Sequence, residues 1–132
     1  MSSASANGAG TEFDAWLRSM HGAHGEFTVL VILTRIGERS VAPLCSTYMH
    51  VIGDEVDWDD VTMMFAGSGQ SWDGAAFFPT KSPAGGPIDN ATARLRLAEL
   101  EAKVTEDRMV LNDGHFFDTK GRRIKIEPAA NA

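Results

Sequence analysis

Residues 27–36 read FTVLVILTRI, and how this decapeptide folds decides the rest of the chain. Taken as a strand, it carries Phe27, Val29, Val31 and Leu33 on one face and Leu30, Ile32 and Ile36 on the other. Side chains alternate across a strand, so this one is apolar on both faces, which marks a central strand covered on both sides. The cover must come from the chain's own helices or from another subunit.

Working outward toward the N-terminus, a helix is predicted from Thr11. Thr11 is the N-cap, and Glu12 and Asp14 set negative charge in the first turn, where the helix dipole favours it. Phe13, Trp16, Leu17 and Met20 recur at helical spacing as one narrow stripe, and Gly22 and Gly25 end it. On the other side, residues 45–52, CSTYMHVI, form a second predicted strand, introduced by Pro43. The acidic loop GDEVDWDD follows at 53–60.

Residues 61–65, VTMMF, fit two periods. Asp57 as cap, Trp58, Val61, Thr62 and Phe65 at helical spacing, and Gly67 as stop would make a helix. Alternation of Val61, Met63 and Phe65 would make a strand. WDDVTMMF at 58–65 is echoed by WDGAAFFP at 72–79. The second copy holds Gly74 and Pro79 in a short apolar run and reads as a strand, so the echo tips the first copy toward strand as well. AGSGQS, between them, then becomes a hairpin loop.

TKSPAGGPI, residues 80–88, is a Pro/Gly loop. A helix is predicted from Asn90 to Asp107, capped by Asp89. Ala93, Leu97, Leu100 and Val104 form its main stripe; Leu95, Ala98 and Ala102 form a second. A helix lying on a sheet needs only the first. The second calls for a partner: the N-terminal helix, another copy, or a different protein. Near the end, RMVL, NDG and HFF read as a hairpin with Asn112, Asp113 and Gly114 at the turn. RRIKI then reads as a last strand. The predicted order is α-β-β-β-β-α-β-β, an α+β fold whose mostly antiparallel sheet has about six strands. Small secretion-type chaperones and adaptor domains are similar in element order, an analogy of architecture that carries no function.

The chain has 132 residues, which predicts a single domain, here 11–127. Residues 1–10 are almost all Ser, Ala, Asn and Gly and read as a disordered tail; 128–132 read as a frayed end. A net charge of −6 argues against a nucleic-acid backbone and an anionic membrane as partners. It suits a basic or neutral protein. One cysteine, Cys45, precludes an intrachain disulfide and a Cys-rich zinc site. With no basic or apolar leader pattern in MSSASANGAGTEF, the expectation is a cytoplasmic protein.

No candidate for catalysis holds together. AGSGQS lacks the lysine of a phosphate loop and the third glycine of a dinucleotide fingerprint. GQSWD has Asp73 where a nucleophile elbow needs glycine. His21, His24 and Glu26 are spaced for a metal, but two glycines make the segment a flexible connector with poor support for ligands. His50 shares a strand face with Tyr48 and reads as a hydrogen-bonded structural residue; a pocket joining these two to Ser71 or Asp73 is the alternative. The acidic loop fails the calcium-loop pattern, with Asp60 and Ala66 where Gly and Glu belong.

The function expected is therefore that of a small acidic, non-catalytic, protein-binding module: an adaptor, a chaperone-like escort, or an inhibitor or immunity-type partner. It needs no cofactor and no metal, and its partner is another protein or a second copy in a homodimer. The candidate surface combines Trp58, Trp72, Asp57 and Asp59 of the two Trp loops with Leu95, Ala98 and Ala102 of the second helix stripe, since Trp is enriched in interface hot spots. Alternatives are a small-ligand-binding or enzymatic domain at His50 and Tyr48, and a homo-oligomeric structural subunit.

Overall fold

The computed structural model describes residues 11–38, 40–53 and 56–126. The expected tail and frayed end lie outside them, as do residue 127 and Asp54 and Glu55 of the acidic loop. The elements in chain order are α1 (Glu12–His24), β1 (Phe27–Ile36), β2 (Val41–Val51), α2 (Trp58–Ala66), β3 (Gly74–Thr80), α3 (Asn90–Glu106), a 3-10 helix (Arg108–Asp113) and β4 (His115–Asp118). The fold is α+β, and its four strands form one antiparallel sheet in the order β2-β1-β3-β4.

FTVLVILTRI is the inner strand its composition demands. Its first eight residues are buried. On one face Phe27, Val29, Val31 and Leu33 join Phe13, Trp16 and Leu17 of α1, Trp58, Val61 and Phe65 of α2, and Phe77 and Phe117 of the neighbouring strands. On the other, Leu30 and Ile32 pack with Leu100 and Val104 of α3, Leu111, Phe116 and Ile126. Both covers come from this chain, two helices on one face and one helix with the 3-10 segment on the other.

The strand expected over 58–65 is a helix. Asp57 accepts the Asp60 N–H at 2.9 Å while Asp60 accepts the Asp57 N–H at 3.2 Å, a reciprocal capping box. The buried α1 residue Asp14 accepts the Trp58 N–H at 2.8 Å, placing an anion at the start of α2. Trp58, Val61 and Phe65 all face the core. The WD echo is thus misleading: the first copy opens a helix, the second leads into β3, and GSGQSWD is the helix-to-strand connection rather than a hairpin loop.

Three further expectations are corrected. HGAH belongs to the last turn of α1, and Gly25 closes it in the left-handed region (φ 73°), so the supposed flexible connector is helical. RMVLND is a 3-10 helix capped by Asp107 rather than a strand, and none of Asn112, Asp113 and Gly114 has a positive φ. RRIKI makes only a bridge between Arg123 and Phe117. RMVL and RRIKI are therefore 3-10 and coil, and 58–65 is helix, which leaves four strands where about six were expected. β2 in turn begins earlier than expected and takes in Pro43. Helix α3 keeps its expected start, with Asp89 accepting the Thr92 N–H at 2.7 Å.

Candidate functional site

The connection Gly67–Asp73 is fastened at both ends by ordinary turn chemistry. Gly69 takes φ 74°, the Gln70 N–H donates to Ser68 Oγ at 3.1 Å, and Asp73 Oδ2 accepts the Ile36 N–H at 2.7 Å. Asp73 therefore closes the end of β1. Ser71 offers its carbonyl oxygen to Arg35 at 3.4 Å.

His50 lies near the opposite end of β1. It is bonded through Nδ1 to Thr28 Oγ1 at 2.8 Å and through Nε2 to Asn90 Oδ1 at 3.0 Å. Thr28 Oγ1 also accepts the Ile88 N–H at 3.0 Å. The consistent assignment has the Thr28 hydroxyl donating to Nδ1 and the Nε2–H donating to Asn90. His50 thus ties the start of α3 to the sheet. The structure does not bring Ser71 and Asp73 to His50 and Tyr48: strand β1 runs between the two pairs, from Thr28 beside His50 to Ile36 beside Asp73. Among the described residues no three His, Cys, Asp or Glu side chains are placed to hold a metal, and no helix is long and apolar enough to cross a membrane.

The candidate binding residues divide. Trp58 is only 5% exposed; its ring packs on Phe13 at 4.7 Å, and its indole N–H donates to the Thr119 carbonyl at 3.1 Å. It is core and is withdrawn from the candidate surface. Trp72 is half-buried, edge-on to Trp58 at 6.0 Å and to Phe65 at 5.3 Å, so most of its ring is occupied within the chain. Asp57 is occupied as a cap, and Asp59 is exposed on the first turn of α2. The α3 stripe is different. Leu95 is 62% exposed, and Ala98 and Ala102 are exposed beside it. Helix α1, one of the three partners considered for this stripe, lies across the opposite face of the sheet.

Next to that stripe is a feature the sequence reading missed, the outer edge of β2. The sheet order leaves two edges. At one, the short β4 is flanked by residues 122–124: the Asp118 N–H donates to Arg122 O and the Ile124 N–H to Phe116 O. At the other, among the described residues, no strand pairs with the outer side of β2. This strand is 11 residues long and carries no Asp, Glu, Lys or Arg. Charged side chains and short length are two usual means of silencing an edge, and β2 has neither; the proline and the register slip near its start are two others, and they leave residues 45–51 regular. The signal was legible in Pro43, since proline inside a sheet is confined to edges and bulges. The register in fact slips beside it, between Leu33 and Thr34 of the partner strand.

Two walls rise from this edge. On one face Cys45, Ser46 and Thr47 floor a shallow recess of about 340 Å³, bounded by Met64, Ser68 and Gln70. Met63 and Met64 beside it are 76% and 41% exposed. On the other face α3 runs antiparallel to β2. Asn90 meets His50, Arg94 reaches the Tyr48 hydroxyl at 3.5 Å, and Glu101 accepts the Ser46 hydroxyl. Among the described residues, the arrangement offers unpaired backbone donors and acceptors of β2 between two partly apolar walls. Comparison with known proteins finds no matching family model, curated protein or solved structure.

Proposed function

We propose that this chain is a small acidic, cytoplasmic, non-catalytic module that binds protein through the outer edge of β2 and the adjacent Leu95–Ala98–Ala102 stripe of α3. The carrying observation is the open, uncharged edge strand, because an extended segment from a partner completes its hydrogen bonds and adds a strand to the sheet. The exposed α3 stripe supports the reading, since its apolar surface exceeds what one sheet face requires. An adaptor, an escort or an inhibitor would all use such a surface. Trp58 acts only by holding α2 in place.

The test is site-specific photo-crosslinking in cells, with the photoreactive residue at Thr47 or Leu95 and a control at Lys120 beyond the β4 edge. Protein adducts are expected at the first two positions and none at the third. Adducts at Lys120 alone, or at no position, would sink the reading. Leu95→Asp is expected to weaken the interaction by about tenfold or more while leaving the melting temperature unchanged, as for an exposed interface anchor.

A further inference from the structure

We propose that the occupant of the β2 edge is a second copy of this chain, paired antiparallel about a two-fold axis through Thr47, so that two four-stranded sheets become one continuous sheet. The proposal deepens the reading above and rests on it. Three observations single out the second copy.

The first is charge order along α3. Arg94 stands over Tyr48 and Glu101 over Ser46. Thr47 lies between those two strand residues, and Ala98 lies between the two charged ones on the helix. A two-fold axis through Thr47 therefore sets Arg94 of each copy against Glu101 of the other and Ala98 against Ala98. Axes through Ser46 or Tyr48 would oppose like charges instead. The seam is complementary to itself in one register.

The second is spacing. Helix α3 lies over β1 and β2. Joining two β2 strands at the usual strand separation sets two such helices two strand spacings apart, about 10 Å. That is the ordinary distance between packed helices, about 8–10 Å. Ala98, between Arg94 and Glu101 on the side of α3 turned toward β2, is small enough for close approach and is exposed in the single chain.

The third is side-chain pairing. In this register Tyr48 lies opposite Ser46 of the second copy and Cys45 opposite Met49, with Thr47 opposite Thr47. No charged residue enters the strand seam. Each recess under Met64 gains Met49 of the second copy as a neighbour, which closes an apolar surface that the single chain leaves open.

The experiment uses the purified full chain. Sedimentation equilibrium is expected to give a dimer. In a Cys45→Ser background, Thr47→Cys is expected to form an interchain disulfide on mild oxidation, since the two positions face each other at the axis. Native Cys45 is not, because its two copies stand about 14 Å apart along the seam, well beyond disulfide reach. Ala98→Glu, on an exposed position, is expected to weaken the dimer about a hundredfold by placing two carboxylates together. Arg94→Glu is expected to weaken it as well, and adding Glu101→Arg to restore it. A monomer at every concentration, cross-linking through Cys45 in place of Thr47→Cys, or a charge swap that fails to restore association would each overturn the proposal. A monomer that still gives adducts to other proteins at Thr47 in cells removes the second copy as occupant and leaves the wider reading standing.

Discussion

Asp14 and Gly121 show how much single residues near the chain ends hold together. Asp14 is 3% exposed and accepts the first N–H of α2, so it joins the two helices on one face of the sheet. Asp14→Ala leaves that buried donor without a partner and is expected to cost about 2 kcal/mol in urea unfolding, with Asp14→Asn retaining part of the bond. Gly121 has φ 74°, and a Cβ there would stand 2.9 Å from Thr11 Cβ and 3.2 Å from Trp58 Cδ1. Its carbonyl also accepts the Phe13 N–H at 3.0 Å. Gly121→Ala is therefore expected to destabilise by about 2–3 kcal/mol, combining the left-handed backbone with crowding at a packed tryptophan. Neither role was legible in sequence: Asp14 read correctly as a first-turn acid of α1, but its bond reaches across 44 positions to a different helix.

At the scale of elements, the contest over residues 58–66 is instructive. The local pattern carried both a helical stripe and a strand alternation, and the caps should have decided it. A cap satisfies backbone N–H groups that otherwise lack partners, whereas alternation over five residues satisfies nothing until a neighbouring strand is available. Asp57→Ala removes one half of the capping box and is expected to lower stability by about 1 kcal/mol, read as a matching fall in the urea midpoint with unchanged slope. The same logic explains the C-terminal third. RMVL has strand-like residues, but Asp107 caps the segment by accepting the Met109 N–H at 3.0 Å, and Leu111 is wholly buried below α3. Helix α3 itself was readable because its cap, its stripe and its length agreed. Its second stripe was readable too, and it is the one part of the expected site that is both exposed and continuous with the β2 edge.

For the whole molecule, the core is an aromatic cluster that ties all three tryptophans to the sheet: Phe13, Trp16, Trp58, Phe65, Trp72, Phe77 and Phe117 stack in a chain of contacts. His115 sits at its margin, 4.7 Å from the Trp16 ring, with Nδ1 at 3.1 Å from the Arg123 guanidinium. Burial, and then the neighbouring Arg123 charge, hold its pKa below the ordinary 6.5. Above 6.5 the imidazole is uncharged in both folded and unfolded chains, and its contribution is fully present. As pH falls from 6.5 to the lowered folded value, the unfolded chain takes up a proton that the folded chain resists, and stability is lost. Urea unfolding between about pH 7.5 and about pH 5 is expected to show this loss, and His115→Gln to flatten it. An unchanged slope in that variant would show that other groups carry the acid sensitivity.

What the sequence determined by itself is what depends on neighbours along the chain. The two-sided strand at 27–36 and the capped helices at Thr11 and Asp89 follow from alternation and caps. Burial of Trp58 was not among them, because a tryptophan beside acidic residues looks the same in a loop and at the first turn of a buried helix. Only the tertiary structure decided which face each helix covers, which strands lie inside, and therefore which edge is left open. Strand order is set by the joint burial of both sheet faces, a property of the assembled chain. The side of β2 that no strand pairs among the described residues is the consequence of that assembly, and the proposed binding surface exists because of it.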